Sequence, residues 1–139
     1  MPTPPASSSP VKAGLAYFAI VFAAGFVLGT IRTLLLAPRL GPFAAVLVEL
    51  PVMLVIAWIA CGWAVSRFAV GPSKVDRLVM GVLALALLLA AELVLAVAVF
   101  DTTVAGFLSA YATPAGATGL AGQVVFAAMP LFVRRARRD

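Results

Sequence analysis

Four long runs of apolar residues dominate the pattern of hydrophobic and polar positions along the chain. A run of roughly 18 or more apolar residues is long enough to cross a bilayer as a helix. The pattern therefore predicts transmembrane helices at about 13–36, 43–65, 78–100 and 115–133. Two prolines and a glycine predict a short turn at 37–42, between the first two helices. It lacks the period-two alternation that a membrane β-barrel needs. The predicted fold class is all-α, an integral membrane four-transmembrane-helix bundle.

The segments outside these runs divide the chain into three parts. Residues 1–12 are rich in Pro and Ser, which predicts a disordered leader. Residues 13–133 form the predicted membrane domain, and 134–139 form a basic cytoplasmic tail. Within the connection that follows Asp101, residues 104–111 are predicted to form a short interfacial helix.

Composition supports the membrane assignment. The chain has 139 residues, of which 64% are hydrophobic and 11% are charged, and its mean hydropathy is +1.15. A soluble domain carries about 25% charged residues, so this chain has too few to cover a surface in water. The composition therefore excludes an ordinary soluble globular domain.

The basic residues indicate how the chain meets the membrane surface. Four of the ten lie in the last six positions: Arg134, Arg135, Arg137 and Arg138. A basic cluster directly after a span is typical of contact with anionic lipid at the cytoplasmic face. We therefore expect a lipid bilayer as the partner of this tail, and no nucleic acid.

The distribution of Lys and Arg also predicts the orientation. With a cytoplasmic amino terminus, eight basic residues lie inside and two lie toward the outside. The eight are the four tail arginines with Lys12, Arg67, Lys74 and Arg77, and the two are Arg32 and Arg39. Because positive charge favours the cytoplasmic side, both termini are expected there.

Four polar residues within the apolar runs form the candidate site. Arg32, Glu49, Glu92 and Gln123 each belong to a different predicted helix and fall at a similar depth. At 1.5 Å per residue, Arg32 is about 6 Å and Glu49 about 9 Å from the same surface. Arg32 can pair with only one of the two acids, and Glu92 is the one predicted to lack a formal counter-charge. We expect these side chains to share one intramembrane polar centre.

Small and kinking residues surround this predicted centre. Gly25, Gly29 and Arg32 share one helix face, and Gly-x-x-x-Gly allows close helix packing. The same packing role is predicted for three glycines of the last span, Gly116, Gly119 and Gly122. Pro51 is predicted to kink the second span beside Glu49.

Other chemistry finds little support in the sequence. The chain has no His and a single cysteine, Cys61, which argues against zinc, haem and disulfide chemistry. No nucleophile has a visible base, and no glycine-rich phosphate loop occurs. We therefore predict no catalytic residue, no metal site and no cofactor.

Two functions remain open at this point. The first is assembly, as a homo-oligomer or an accessory subunit, with the polar residues serving as structural links between helices. The alternative is a proton- or small-ion-coupled transporter or channel that uses Glu92 and Glu49 with Arg32. A lipid-active enzyme is the weaker third hypothesis, because no catalytic pair can be named.

The segment GTIRTLLLAPRLG, together with VELP, resembles short four-helix inner-membrane proteins of bacteria to which no activity is assigned. The resemblance covers nearly the whole chain and implies a multi-pass protein of a bacterial inner membrane. Gly25-x-x-x-Gly29-Thr30-x-Arg32 is also loosely similar to the first-helix motif of the fluoride channel family, but the asparagine of that family's second helix is missing. Small multidrug resistance transporters share the helix number, with their membrane glutamate in the first helix instead.

Overall fold

The computed structural model describes residues 9–134 as helices joined by short connections, without a β-strand in that range. Four of the helical segments are long and apolar enough to cross a membrane: Pro10–Leu40, Pro42–Arg67, Lys74–Ala98 and Pro114–Phe132. The prediction of an all-α chain with four helices of spanning length is confirmed. The helices are α1 (Pro10–Ile31), α2 (Ala37–Leu40), α3 (Pro42–Arg67), α4 (Lys74–Ala98), α5 (Val104–Ala110) and α6 (Pro114–Phe132).

Helix α1 begins earlier than the apolar run suggested. Pro10 occupies the first turn, where its missing amide costs nothing, and the Ser9 side chain accepts a hydrogen bond from the Lys12 amide. Residues 10–12, assigned to the leader from sequence, therefore belong to α1. The rest of the predicted leader, apart from Ser9, lies outside the described residues.

The first span continues helically through the segment predicted to be a turn. A π-helical turn, Arg32–Leu36, joins α1 to α2, and the chain reverses only at Gly41, whose φ is 84°. Pro38 offers a physical reason for the wider turn, because its ring crowds the carbonyl four residues earlier and it has no amide to donate. The expected turn at 37–42 is thus reduced to a single residue.

The remaining spans differ from the predicted bounds by a few residues. Helix α4 starts four residues before position 78, since Ser73 precedes it in an extended conformation and Asp76 favours the first turn. The chain leaves α4 near Asp101, which has a φ of 55°. The short helix predicted at 104–111 is present as α5, and the Thr103 side chain caps it.

The spans form a four-membered ring rather than following chain order around the bundle. Helices α1 and α6 each pack against both α3 and α4. One end of the bundle holds Ser9, Arg134 and the α3–α4 connection, and we call it the terminal end. The opposite end holds Gly41 and the α4–α6 connection, and we call it the Gly41 end.

The packed core lies almost entirely in the half of the bundle nearest the terminal end. Its fully buried members include Tyr17, Cys61, Val65, Val70 and Met80. The core ends toward the middle in a layer with one buried residue from each long helix: Val21, Ala57, Leu88 and Phe126. Beyond that layer, the buried residues of the described chain are Ala45 and Gly122.

Two glycines bring helix backbones together in this packed half. A Cβ atom at Gly14 would lie 3.0 Å from the Met80 carbonyl oxygen, and one at Gly81 would overlap the Ala127 carbonyl. These contacts join α4 to α1 and to α6, and neither glycine was identified from the sequence. Close backbone approach is a common use of glycine between membrane helices.

A proline in α6 creates a backbone acceptor that Tyr17 satisfies. Pro130 has no amide, so the Phe126 carbonyl has no partner one turn later. The Tyr17 hydroxyl donates to that carbonyl at 2.7 Å, and its ring stacks on Phe126 with centroids 4.3 Å apart. The contact closes the bundle at the layer where the core ends.

Arg77 is buried near the terminal end and pairs with no carboxylate among the described residues. Only 7% of its surface is exposed, and its guanidinium donates to the carbonyls of Gly71, Pro130 and Val133. The last carbonyls of a helix lack intrahelical partners and carry partial negative charge. Arg77 therefore caps α6, a role beyond the interfacial charge inferred from sequence.

Replacing Tyr17 by Phe should lower the free energy of unfolding by about 1–3 kcal/mol, because it leaves a buried carbonyl unpaired. Pro130→Ala returns an amide to that carbonyl, so the Tyr17→Phe cost should shrink in a Pro130→Ala background. Thermal or denaturant unfolding of the four proteins in detergent measures both effects. Additive effects would contradict the proposed sharing of one acceptor.

Candidate functional site

A cavity of about 430 Å³ occupies the half of the bundle nearest the Gly41 end. All four long helices contribute to its walls, and the layer of Val21, Ala57, Leu88 and Phe126 lies at its inner limit. The four polar residues predicted to form one centre all line it: Arg32, Glu49, Glu92 and Gln123. The structure thus brings these side chains to one shared space between the helices.

The first polar pair joins α3 to the π-helical turn. The Arg32 Nη1 atom donates to the Glu49 Oε2 atom at 2.5 Å, and the two side chains are 35% and 10% exposed. Arg32 is the first residue of the π-helical turn, a feature that often marks functional sites. Arg32 keeps right-handed helical backbone angles, and the widened turn changes the helical register of the residues that follow it.

Pro51, predicted to kink the helix beside Glu49, lies inside α3, which continues from Pro42 to Arg67. The Pro51 side chain is exposed and does not line the cavity. It withdraws a donor from the Leu47 carbonyl, one turn away. The kink beside Glu49 stays a prediction.

The second polar pair joins α4 to α6 on the opposite side of the ring. The Gln123 Nε2 atom donates to both oxygens of Glu92, at 2.8 and 2.9 Å. The Gln123 Oε1 atom is buried and has no hydrogen-bond partner among the described residues. An unpaired buried acceptor is costly, so this atom marks a place where a donor from outside the chain would be stabilised.

Tyr111, in the connection after α5, lies over this second pair. Burial and then the nearby Glu92 carboxylate raise the pKa of Tyr111. Tyr111 was placed at the end of the short connecting helix from sequence, without a link to Glu92. Its position shows that the connection between α4 and α6 reaches Glu92.

The exposed members of the cavity wall indicate where it opens. They are Phe26, Thr30, Thr33, Leu34 and Phe100. All belong to the first span or to the end of α4, whereas the wall residues of α3 and α6 are partly or fully buried. The mouth therefore lies between the Gly41 ends of the first span and α4.

The glycines predicted to pack helices occupy different places in the structure. Gly25, Gly29 and Gly119 line the cavity, and none approaches the backbone of another span. Gly122 also lines it, where a Cβ atom would lie 2.5 Å from Leu50 Cδ1. Gly116 instead contacts the Ala110 carbonyl in the preceding turn. The helical spacing of Gly25, Gly29, Gly119 and Gly122 places them on the inner faces of their helices, but those faces border the cavity.

The predicted lipid-contacting tail is mostly outside the described residues. Arg134 is described and exposed, directly after α6. Arg135, Arg137 and Arg138 lie beyond that range. Contact of these side chains with anionic lipid stays a prediction.

Comparisons of the chain with protein-family models, with curated proteins and with solved structures gave no match. The fold and the site define a class: a helical bundle whose four long helices are apolar enough to span a membrane. A cavity with polar residues from every span lies in one half of it. These features are compatible with a multi-pass membrane protein.

Removing one partner of the Arg32–Glu49 pair should cost more than removing both charges. Arg32→Ala leaves a largely buried carboxylate without its donor, which should lower the free energy of unfolding by about 1–3 kcal/mol. The Arg32→Ala/Glu49→Gln double variant should recover part of that loss. Unfolding measurements in one detergent test the cycle, and a double variant as destabilised as the sum of the single variants would argue against the pair.

Proposed function

We propose that the protein is a multi-pass integral membrane protein that acts as a proton- or small-ion-coupled transporter. The observation that carries this proposal is the shared cavity, which has a polar residue from each of four spans. Polar side chains within spans are costly and commonly mark ion pathways or proton relays. A bundle that needed only structural links would not require an open space between them.

Glu92 is the group proposed to carry the coupling ion. Arg32 already pairs with Glu49, and the direct partners of Glu92 are neutral groups, the Gln123 amide and the Tyr111 hydroxyl. Binding a proton or a cation would remove the cost of an isolated negative charge in apolar surroundings. Release would restore the charge, so the group can alternate between two states.

The one-sided shape of the cavity favours a transporter over an open channel. The space ends at the layer that contains Phe126, and the terminal half beyond it is packed. Passage across the bundle would require the Tyr17–Phe126 contact to separate. We propose that the cavity represents one of two alternating states, with access from the Gly41 end.

Assembly through the glycines of α1 receives less support. Gly25 and Gly29, on which that hypothesis rested, face the cavity rather than a free outer surface. The structure gives no other observation that favours a particular interface. Transport is therefore the function proposed first.

For the setting, we propose a bacterial inner membrane with both termini in the cytoplasm. The eight-to-two distribution of basic residues supports this orientation. The mouth of the cavity would then face the outer leaflet, and the arginine tail would contact anionic lipid on the inner side.

Glu92→Gln should reduce proton-coupled flux by about tenfold or more, because the amide can neither take up nor release the proton. The parent chain and the variant would be reconstituted in liposomes that contain a pH-sensitive dye, and flux would be followed after an ion or pH gradient is imposed. Asp101→Asn is the matched control, since Asp101 is an exposed acid outside the spans and the cavity wall.

The control variant should transport like the parent. A parent without flux under any imposed gradient, or a Glu92→Gln variant with parental flux and parental unfolding temperature, would exclude the proposed role.

The orientation can be tested separately. A reporter fused after Asp139 that is active only in the cytoplasm should give signal, and a reporter placed at Gly41 that is active only in the periplasm should also give signal. The reason is the excess of Lys and Arg at the terminal end. The reverse pattern in intact cells would refute the cytoplasmic placement of the termini.

A further inference from the structure

The α4–α6 side of the cavity wall offers hydrogen-bond acceptors but, among the described residues, no free side-chain donor. Both Glu92 oxygens accept from Gln123, and Tyr111 also hydrogen-bonds to Glu92. The Gln123 Oε1 atom has no partner among the described residues. The Thr30 hydroxyl already donates to the Phe26 carbonyl. Arg32 lies on the opposite side of the ring, where its Nη1 atom donates to Glu49.

The formal charge of the cavity wall also favours a positively charged ligand. Arg32 and Glu49 cancel, so Glu92 leaves one negative charge when it is ionised. A carboxylate and a neighbouring amide oxygen form a set of acceptors that matches a positively charged donor. An anion beside Glu92 would be repelled by its carboxylate, and Arg32, the cation among the wall residues, already pairs with Glu49.

The rest of the wall is apolar and adapts to varied shapes. Phe22, Leu50, Met53, Leu54 and Phe126 make up part of it. The cavity has room for about ten or more non-hydrogen atoms, at roughly 30 Å³ for a water-sized group. The site therefore fits a molecule with a compact hydrophobic body and one polar end.

The position of the mouth also favours an amphiphile. It lies between the first span and α4, whose exposed wall residues are mostly apolar. A molecule dissolved at the membrane surface can reach such an opening without first crossing the packed terminal half. Glu92 and Gln123 lie on the walls beyond it.

We infer that the substrate of this cavity is a protonated primary amine with an apolar body. Its ammonium donates to the Glu92 carboxylate and to the Gln123 Oε1 atom, and its body lies against Phe126 and the neighbouring aliphatic side chains. The inference rests on the proposed transport function, because it assigns a substrate class to the same site. The ammonium can belong to a free amine or to the head group of an aminophospholipid.

Calorimetric titration of the full chain in phosphatidylglycerol nanodiscs tests this inference. The probe is 2-phenylethylammonium, and empty nanodiscs provide the background. Its N,N,N-trimethyl analogue keeps the charge and the ring but has no N–H donor. The parent should bind the primary amine, and the analogue should bind about tenfold more weakly, since the buried acceptor stays unpaired.

Two variants locate the binding. Glu92→Gln and Gln123→Leu should each weaken binding of the probe by about tenfold or more, because each removes an acceptor from the ammonium. Asp101→Asn should bind like the parent. Unfolding temperatures in the same nanodiscs show whether each variant is folded. Glu92→Gln nearly preserves the side-chain shape, so the test remains valid even if Gln123→Leu fails to fold.

Phosphatidylethanolamine added to the nanodiscs separates the two sources of the ammonium. Competition with the probe identifies the lipid head group, and unchanged affinity identifies a free amine. Equal binding of the primary amine and its trimethyl analogue, or no binding of either by a folded parent, overturns the inference.

The experiments distinguish a failure of the proposed substrate class from a failure of the proposed transport function. Glu92-dependent proton flux in a parent that does not bind the amine would overturn the substrate class and leave the transport function standing. Glu92-dependent amine binding without any coupled flux would support the site and remove the proposed transport.

Discussion

Every polar group within the four spans has to find a partner inside the protein, because hydrocarbon offers none. The structure meets this constraint in three ways. Tyr17 supplies the donor that Pro130 withholds from Phe126, Arg77 caps the last carbonyls of α6, and Arg32 pairs with Glu49. Gln123 is the exception, since its side-chain oxygen is buried without a partner among the described residues. The unpaired oxygen lies in the wall of the cavity, which makes this region the natural candidate for binding a ligand.

The bundle consists of a packed half and a half that contains the cavity, and Gln123 lies in the second. In the terminal half, glycines at positions 14 and 81 hold α4 against α1 and α6, and the core is continuous. In the other half, the helices separate around the cavity, and the opening lies beside α1. The packed terminal half fixes the four helices relative to one another. The polar side chains in the other half therefore stay at one level around the cavity.

Much of this arrangement follows from the sequence, and some of it does not. Apolar runs are long and regular, so four helices of spanning length could be predicted, and counting residues along them placed Arg32, Glu49, Glu92 and Gln123 at one depth. The ring order of the helices could not be predicted, because it depends on which faces pack together. The cap by Arg77 depends on tertiary contacts as well. For the same reason, spacing alone misplaced the close approach at Gly25 and Gly29 and missed the one at Gly81.

The buried position of Gly81 has a consequence for how such a chain can diverge. Any side chain there would push against the backbone of α6, so its replacement demands a simultaneous shift of two helices. Residues around the cavity face no comparable restriction on size. Substitutions should therefore concentrate around the cavity, where they can change which ligand the protein binds. They should be rare in the packed terminal half.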